Sequence, residues 1–187
     1  MTTEQIMSGL RRAWRSRSGI ASVEFILCLP VLALMLFGTI DIGRLLFDYH
    51  AVSKSVRDAA RYVARSEAGA LFSDLATCTV DPTTAAGSPT QNARNMVLTG
   101  TIDLSGDYIL NYWTDTTTVT VSGTVPGTGA CFDNSAGTYQ GYYSGRDDIP
   151  IITVAATVSF PLLNGWLLDR NNDLTFTISH EEVFIGE

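Results

Sequence analysis

Few residues in this chain could carry chemistry. His50 and His180 are its histidines, and no H-E-x-x-H, C-x-x-C, G-x-S-x-G or P-loop spacing surrounds them. Hydrolytic, metal-assisted and phosphoryl-transfer reactions therefore lack their residue sets, and neither enzymatic activity nor a cofactor or metal is expected. Asp169, Asn171 and Asp173 have the 1, 3, 5 spacing that opens a calcium loop, but Leu174 stands where the sixth position needs glycine and His180 where the twelfth needs glutamate. A β-turn is the better reading. Tyr139, Tyr142 and Tyr143 could either form an exposed patch for a partner or simply cover a sheet. Glu24 is the most pointed residue, because it is the one charge between Ile20 and Ile40. A carboxylate in such a run costs roughly 2.5 to 3.5 kcal/mol at a bilayer centre and less near its edge, so it calls for a reason.

The element that positions Glu24 is the run itself. As a helix, Ile20 to Ile40 would extend about 31 Å, the thickness of a hydrocarbon core. Arg11, Arg12, Arg15 and Arg17 precede it, which by the positive-inside rule keeps the amino-terminal end in the cytoplasm. No second apolar run of that length returns the chain, so the remainder lies across the membrane. A cleaved secretory signal would have a shorter apolar region and a small-residue cleavage site, whereas Gly43-Arg44-Leu45 follows this one. Pro30 removes the hydrogen bond to the Ile26 carbonyl and is expected to kink the helix, which membrane spans tolerate. Beyond Asp41, apolar residues recur at Ile42, Leu45, Leu46, Tyr49, Val52, Val56, Ala59, Ala60 and Val63, the spacing of one helical face. Charge divides accordingly: residues 1–65 hold nine Arg/Lys and five Asp/Glu, residues 66–187 three and fourteen. An acidic distal part with its basic residues beside the membrane argues against nucleic-acid binding.

Gly19-Ile20-Ala21-Ser22-Val23-Glu24-Phe25 resembles the cleavage site of type IV-like prepilins, which a prepilin peptidase cuts after the glycine. Glycine suits that role, since it lets an extended backbone enter a protease beside the bilayer. The mature chain would start at Ile20, and in a filament Glu24 would meet the Ile20 ammonium of a neighbour, turning a costly carboxylate into a paired one. The other reading has Glu24 snorkelling at the interface of a plain signal anchor. The resemblance sharpens with Leu27, Leu29 and Pro30, then Phe37-Gly38, Asp41, Gly43 and Arg44, then Val56-Arg57-Asp58-Ala59-Ala60-Arg61. This pattern is similar to the TadE-like family of the tight adherence pilus system. The resemblance implies a minor pilin or pseudopilin acting in assembly of a type IV-like pilus for surface attachment and biofilm. Its partners would be other pilins, the prepilin peptidase, the inner-membrane assembly platform and the lipid bilayer. It would lie in the inner membrane with its carboxy-terminal domain in the periplasm, or be incorporated in the extracellular pilus. The competing class is a signal-anchored adhesion module that never enters a filament.

The expected fold is α+β and pilin-like: a cytoplasmic leader over 1–19, a long helix over 20–66 that crosses the membrane at about 20–42, and an extracytoplasmic domain over 67–187. Ser88 and Pro89 open a short helix that Gly100 stops. Alternation of apolar residues with threonine predicts strands over 116–125, 149–160 and 174–179, with 107–114 a less regular fourth. An antiparallel sheet with one apolar face results, and the stripe of residues 42–63 is its expected cover. Residues 126–144, rich in Gly, Ser and Tyr, read as a long loop. Cys28 lies in the span and acts there as a small apolar residue. Cys78 and Cys131 share the exported, oxidising side, where a disulfide between them would close about 54 residues for about 4 kcal/mol on the chain-entropy account.

Overall fold

The computed structural model describes residues 17–82, 85–123, 131–137, 147–162 and 174–186, with the side chains of the first helix from residue 20 onward. One helix, α1 (Arg17–Val63), dominates. It is long because no glycine pair, cap or second proline interrupts the run, and Pro30 lies within it. The helix ends where Ser66 donates from both its amide and its hydroxyl to the Val63 carbonyl.

A short helix, α2 (Ala68–Leu71), leads into a small antiparallel hairpin of β1 (Phe72–Asp74) and β2 (Thr79–Val80). Helix α3 (Pro89–Thr99) follows. Its boundaries have local causes: the Ser88 hydroxyl accepts from the Gln91 amide, Pro89 occupies the first turn, and Gly100 ends it at φ 75°, a left-handed conformation that glycine adopts without a Cβ clash.

The main sheet has three strands in the order β3 (Val119–Ser122), β6 (Ile151–Phe160), β7 (Leu174–Val183), all antiparallel. Its register runs from Ile151 opposite Val183 to Phe160 opposite Leu174. Ile152, Val154, Ala156, Val158 and Phe160 therefore share one face, and all are buried. Thr157 and Thr177 face solvent as a pair, their hydroxyls 3.0 Å apart. The inner face packs on Val52, Val56, Ala59, Ala60 and Val63 of α1, with Ala93, Val97 and Leu98 of α3 completing the core. The helix-on-sheet, α+β architecture expected from the sequence is present.

Several boundaries differ from expectation. The strand over 149–160 is split: β5 (Asp148–Ile149) pairs with β4 (Phe132–Asp133), and Pro150, which has no amide proton, separates it from β6. The presumed loop 126–144 thus contains a strand, while its residues 126–130 and 138–144 lie outside the described ones. Over 116–125, residues Thr116–Thr118 form a 3₁₀ turn because the Asp115 carboxylate accepts from the Thr117 amide, and the strand starts only at Val119. Residues 107–114 form no strand. Leu110 and Trp113 are both buried, a three-residue spacing that suits a turn rather than an alternating strand. Strand β7 continues past Ser179 to Val183, extended by pairing with β6.

The stripe on α1 is also only partly covered. From Val52 onward it is core, whereas Ile42, Leu46 and Tyr49 are 62%, 54% and 43% exposed. Ile42 and Leu46 each stand two residues, about 200° of helix, from Arg44, whose guanidinium lies over Phe160 at the end of β6, so they turn away from the sheet.

Candidate functional site

The expected functional residues fall at two levels of α1. At the lower level are Gly19, Ile20, Glu24, Phe25 and Pro30, all helical. Within the described residues the helix runs from Arg17, so the Gly19–Ile20 bond is helical rather than extended. A protease reading extended backbone there must unwind that stretch. Glycine lowers the cost of that opening, being about 1 kcal/mol poorer than alanine as a helix former. Ile20 and Phe25 are 69% and 60% exposed, and Glu24 is exposed among them. Among the described residues Glu24 has no ion-pair partner. Every described side chain from Ile20 to Met35 is at least partly exposed, and the most apolar stretch, long enough to cross a membrane, buries none of its surface inside the protein.

The upper level is a collar where the helix meets the sheet. Asp41 is 5% exposed, and the Arg44 guanidinium lies 3.6 Å from its carboxylate. The same guanidinium stands 5.4 Å from the centroid of the Phe160 ring, the last residue of β6. One turn further, the Tyr112 hydroxyl donates to the Asp48 carboxylate at 2.7 Å, and the Tyr112 ring meets Phe160 edge-on at 6.3 Å. Burial, then the adjacent Asp48, push the Tyr112 hydroxyl well above the ordinary tyrosine range, so it stays a donor. Tyr49 touches Phe176 of β7 at 5.9 Å. Helical spacing explains the grouping: positions 41, 44 and 48 follow i, i+3, i+7 and share one face. That face is turned to the domain. The collar holds a cation, two carboxylates and four aromatic rings, but it is a mechanical joint: each polar group is engaged by its neighbour.

Sequence reasoning singled out Asp41 and Arg44 only as members of the TadE-like pattern. It did not find the aromatic partners Tyr112 and Phe160, which lie far along the chain. A lone arginine just beyond an apolar run, followed by an aromatic at a strand end, is the signal that could have suggested them.

Cys78 and Cys131 are joined, with Cα atoms 5.3 Å apart. Cys78 is fully buried at φ 53° in the β1–β2 turn, and its carbonyl approaches Gly123 so closely that any Cβ there would collide. The bridge ties this turn to the segment entering β4. Cys28 is free and exposed in α1.

Among the described residues no cluster of His, Cys, Asp or Glu could hold a metal ion. Asp169, Asn171 and Asp173, and likewise Tyr139, Tyr142 and Tyr143, lie outside the described residues. His180 pairs with Glu182 at 3.2 Å on β7. An open groove between α3 and residues 102–104 is lined by Gln91, Arg94, Asn95, Asp103 and Thr117.

Comparison with curated proteins and with solved structures returns no match. Across residues 19–61, which hold the Gly19–Ile20 junction, the candidate span and the collar residues Asp41, Arg44 and Asp48, the chain matches the TadE family model, described as TadE-like protein.

Proposed function

We propose that this protein is a minor pilin or pseudopilin that acts in assembly of a tight adherence pilus. The leader 1–19 stays in the cytoplasm, a prepilin peptidase cuts between Gly19 and Ile20, and the domain after α1 lies in the periplasm. From there it joins other pilins at the assembly platform or enters the filament. The observation that carries this reading is Glu24: a carboxylate five residues beyond Gly19, on an exposed apolar helix, without an ion-pair partner among the described residues. In a bilayer such a group is costly unless something outside the chain compensates it. The ammonium created at Ile20 of an adjacent subunit is the matching charge.

Glu24→Leu tests it. The variant removes a charge from the span, so insertion should be as good or better. The core begins at Val52, about 42 Å up the helix from position 24, so the fold should be unchanged. Loss of one side of a desolvated pair typically costs roughly 3 to 5 kcal/mol. The variant should therefore be inserted and disulfide-bonded, yet absent from sheared pili and from membrane pull-downs of partner pilins. Normal piliation would leave Glu24 as an interface residue of a plain anchor.

A further inference from the structure

The back of α1 carries a row of cations, Lys54, Arg57 and Arg61, with Arg65 in the turn that follows, and all four are exposed. At 3.6 residues per turn the first three fall within about 60° of one another, and Lys54 stands opposite Val63, a core residue. Asp58 is the one carboxylate between positions 54 and 65. Among the described residues the ion pairs are Asp41 with Arg44 and His180 with Glu182, so the row is left without counter-charge. Arg57 and Arg61, one turn apart, also repel each other, which weakens a helix. Lipid cannot supply the missing charge. Lys54 is fourteen residues, or about 21 Å, above Ile40, while a headgroup layer is about 5 to 7 Å deep.

The opposite side of the domain holds the complement. Residues 66–187 contain fourteen Asp/Glu against three Lys/Arg, and among the described ones Arg94, on α3, is the one Lys or Arg. Glu181 pairs with Thr153, so it projects from the sheet face turned away from Ile152, Val154 and α1, where it is exposed in line with Ser179 and Thr177. Its height is fixed at two points. Leu174 is opposite Phe160, which is level with Arg44, and the Ile185 amide bonds the Ala64 carbonyl. Glu181 therefore lies about 19 Å above Arg44, and Arg57 about 20 Å above it. Asp148 lies two residues from the Pro150 carbonyl, which accepts from the Phe184 amide, at the end of the sheet nearest Arg65. It stands directly opposite Asp133, a like-charge contact that a cation would relieve.

We propose that the basic row of α1 is the docking surface for a second copy of this chain. It meets the outer sheet face of that copy, with Arg57 and Arg61 against Glu181 and Arg65 against Asp133 and Asp148. Two copies inserted in one membrane stand at the same depth, so these levels coincide. Row and acceptor lie on opposite sides of the molecule, so the contact is head-to-tail and repeats from copy to copy. The inference deepens the pilin reading by naming a partner surface, yet it needs only that α1 crosses the membrane and not that Gly19 is cut.

The test uses the full chain in phosphatidylcholine vesicles without a prepilin peptidase, so its outcome is independent of processing. On a Cys28→Ala background, Asn111→Cys carries a donor fluorophore in one population and an acceptor in another. Energy transfer against the protein-to-lipid ratio then reads self-association. Arg57→Glu with Arg61→Glu should weaken association about tenfold, because attractions become repulsions. Glu181→Arg, which leaves the helix untouched, should weaken it in the same direction, and Arg61→Glu combined with Glu181→Arg should recover to within about twofold of the parent. Parent association should also fall with added salt. A parent whose transfer never exceeds random mixing, or reversals that associate as the parent does, would overturn the docking surface. Loss in the helix variant with none in Glu181→Arg, or no recovery in the combined variant, would overturn the sheet face as its acceptor.

Discussion

Removing the disulfide with Cys78→Ser and Cys131→Ser should weaken the domain that follows α1 by an amount the structure lets us work out. The bond joins residues 53 apart. Freeing a loop of that size returns about 14 cal/mol/K to the unfolded chain, or about 4 kcal/mol at 25 °C. Two features bear on how much of this is felt. Cys78 is fully buried, so serine adds a hydroxyl to an apolar site, where the Leu75 carbonyl, 3.9 Å from the native sulfur, is the nearest acceptor. Against that, the β1–β2 hairpin keeps its own ladder and Gly123 stays packed on the turn, so the native fold has no need to rearrange. A loss of about 3 to 4 kcal/mol is expected, a large part of the roughly 5 to 15 kcal/mol by which domains are stable. Guanidinium unfolding of the full chain in detergent, followed by tryptophan fluorescence, should show a midpoint lower by about 1 M, given slopes of a few kcal/mol per molar. Reductant should shift the parent towards the variant and leave the variant unmoved. A midpoint within about 0.3 M of the parent would refute the argument, since the loop entropy would then have no bearing on stability.

Two further substitutions probe the joint between helix and sheet. Tyr112→Phe removes the donor to Asp48 and should cost roughly 1 kcal/mol, limited by the partial exposure of the pair. It should also change the alkaline limb. The raised tyrosine means the folded state holds its proton more tightly than the unfolded chain, so this contribution is complete below the unfolded value near 10 and fades as pH rises above it. The variant's melting temperature should therefore fall less between pH 9 and pH 11 than the parent's, and an equal fall would count against the contact. Val56→Ala, at a fully buried position between α1 and the sheet, should cost roughly 2 to 3 kcal/mol by the same unfolding assay, and a change below about 0.5 kcal/mol would deny it a core role.

What could be read from the sequence follows from which signals are local. The long helix was legible because an uninterrupted apolar run of that length has one stable solution in a bilayer. Ser88, Pro89 and Gly100 marked α3 because each acts on the backbone within a residue or two of itself. Alternation exposed β6 and the first half of β7. Its second half, with His180, Glu181 and Glu182, was missed because an edge position tolerates charge, and only the pairing with Ile152, Thr153 and Val154 extends it. The two-residue strands β2, β4 and β5 carry too few residues for any period, and β1 has only three. In the candidate site, the cysteine pair was legible because Cys78 and Cys131 are the two cysteines beyond the span. The collar was not, since Tyr112 reaches Asp48 across 64 residues and nothing near either residue announces the other.

The claim that the Gly19–Ile20 bond is cut, and that Glu24 therefore has an ammonium to meet, is tested most directly by mass. The full chain is co-expressed in membranes with a prepilin peptidase of the tight adherence system, and its intact mass and amino terminus are measured beside a control lacking the peptidase. The account predicts loss of residues 1–19 and a mature chain beginning at Ile20, only when the peptidase is present. A chain that keeps Met1 or an Arg11 terminus under both conditions would contradict it.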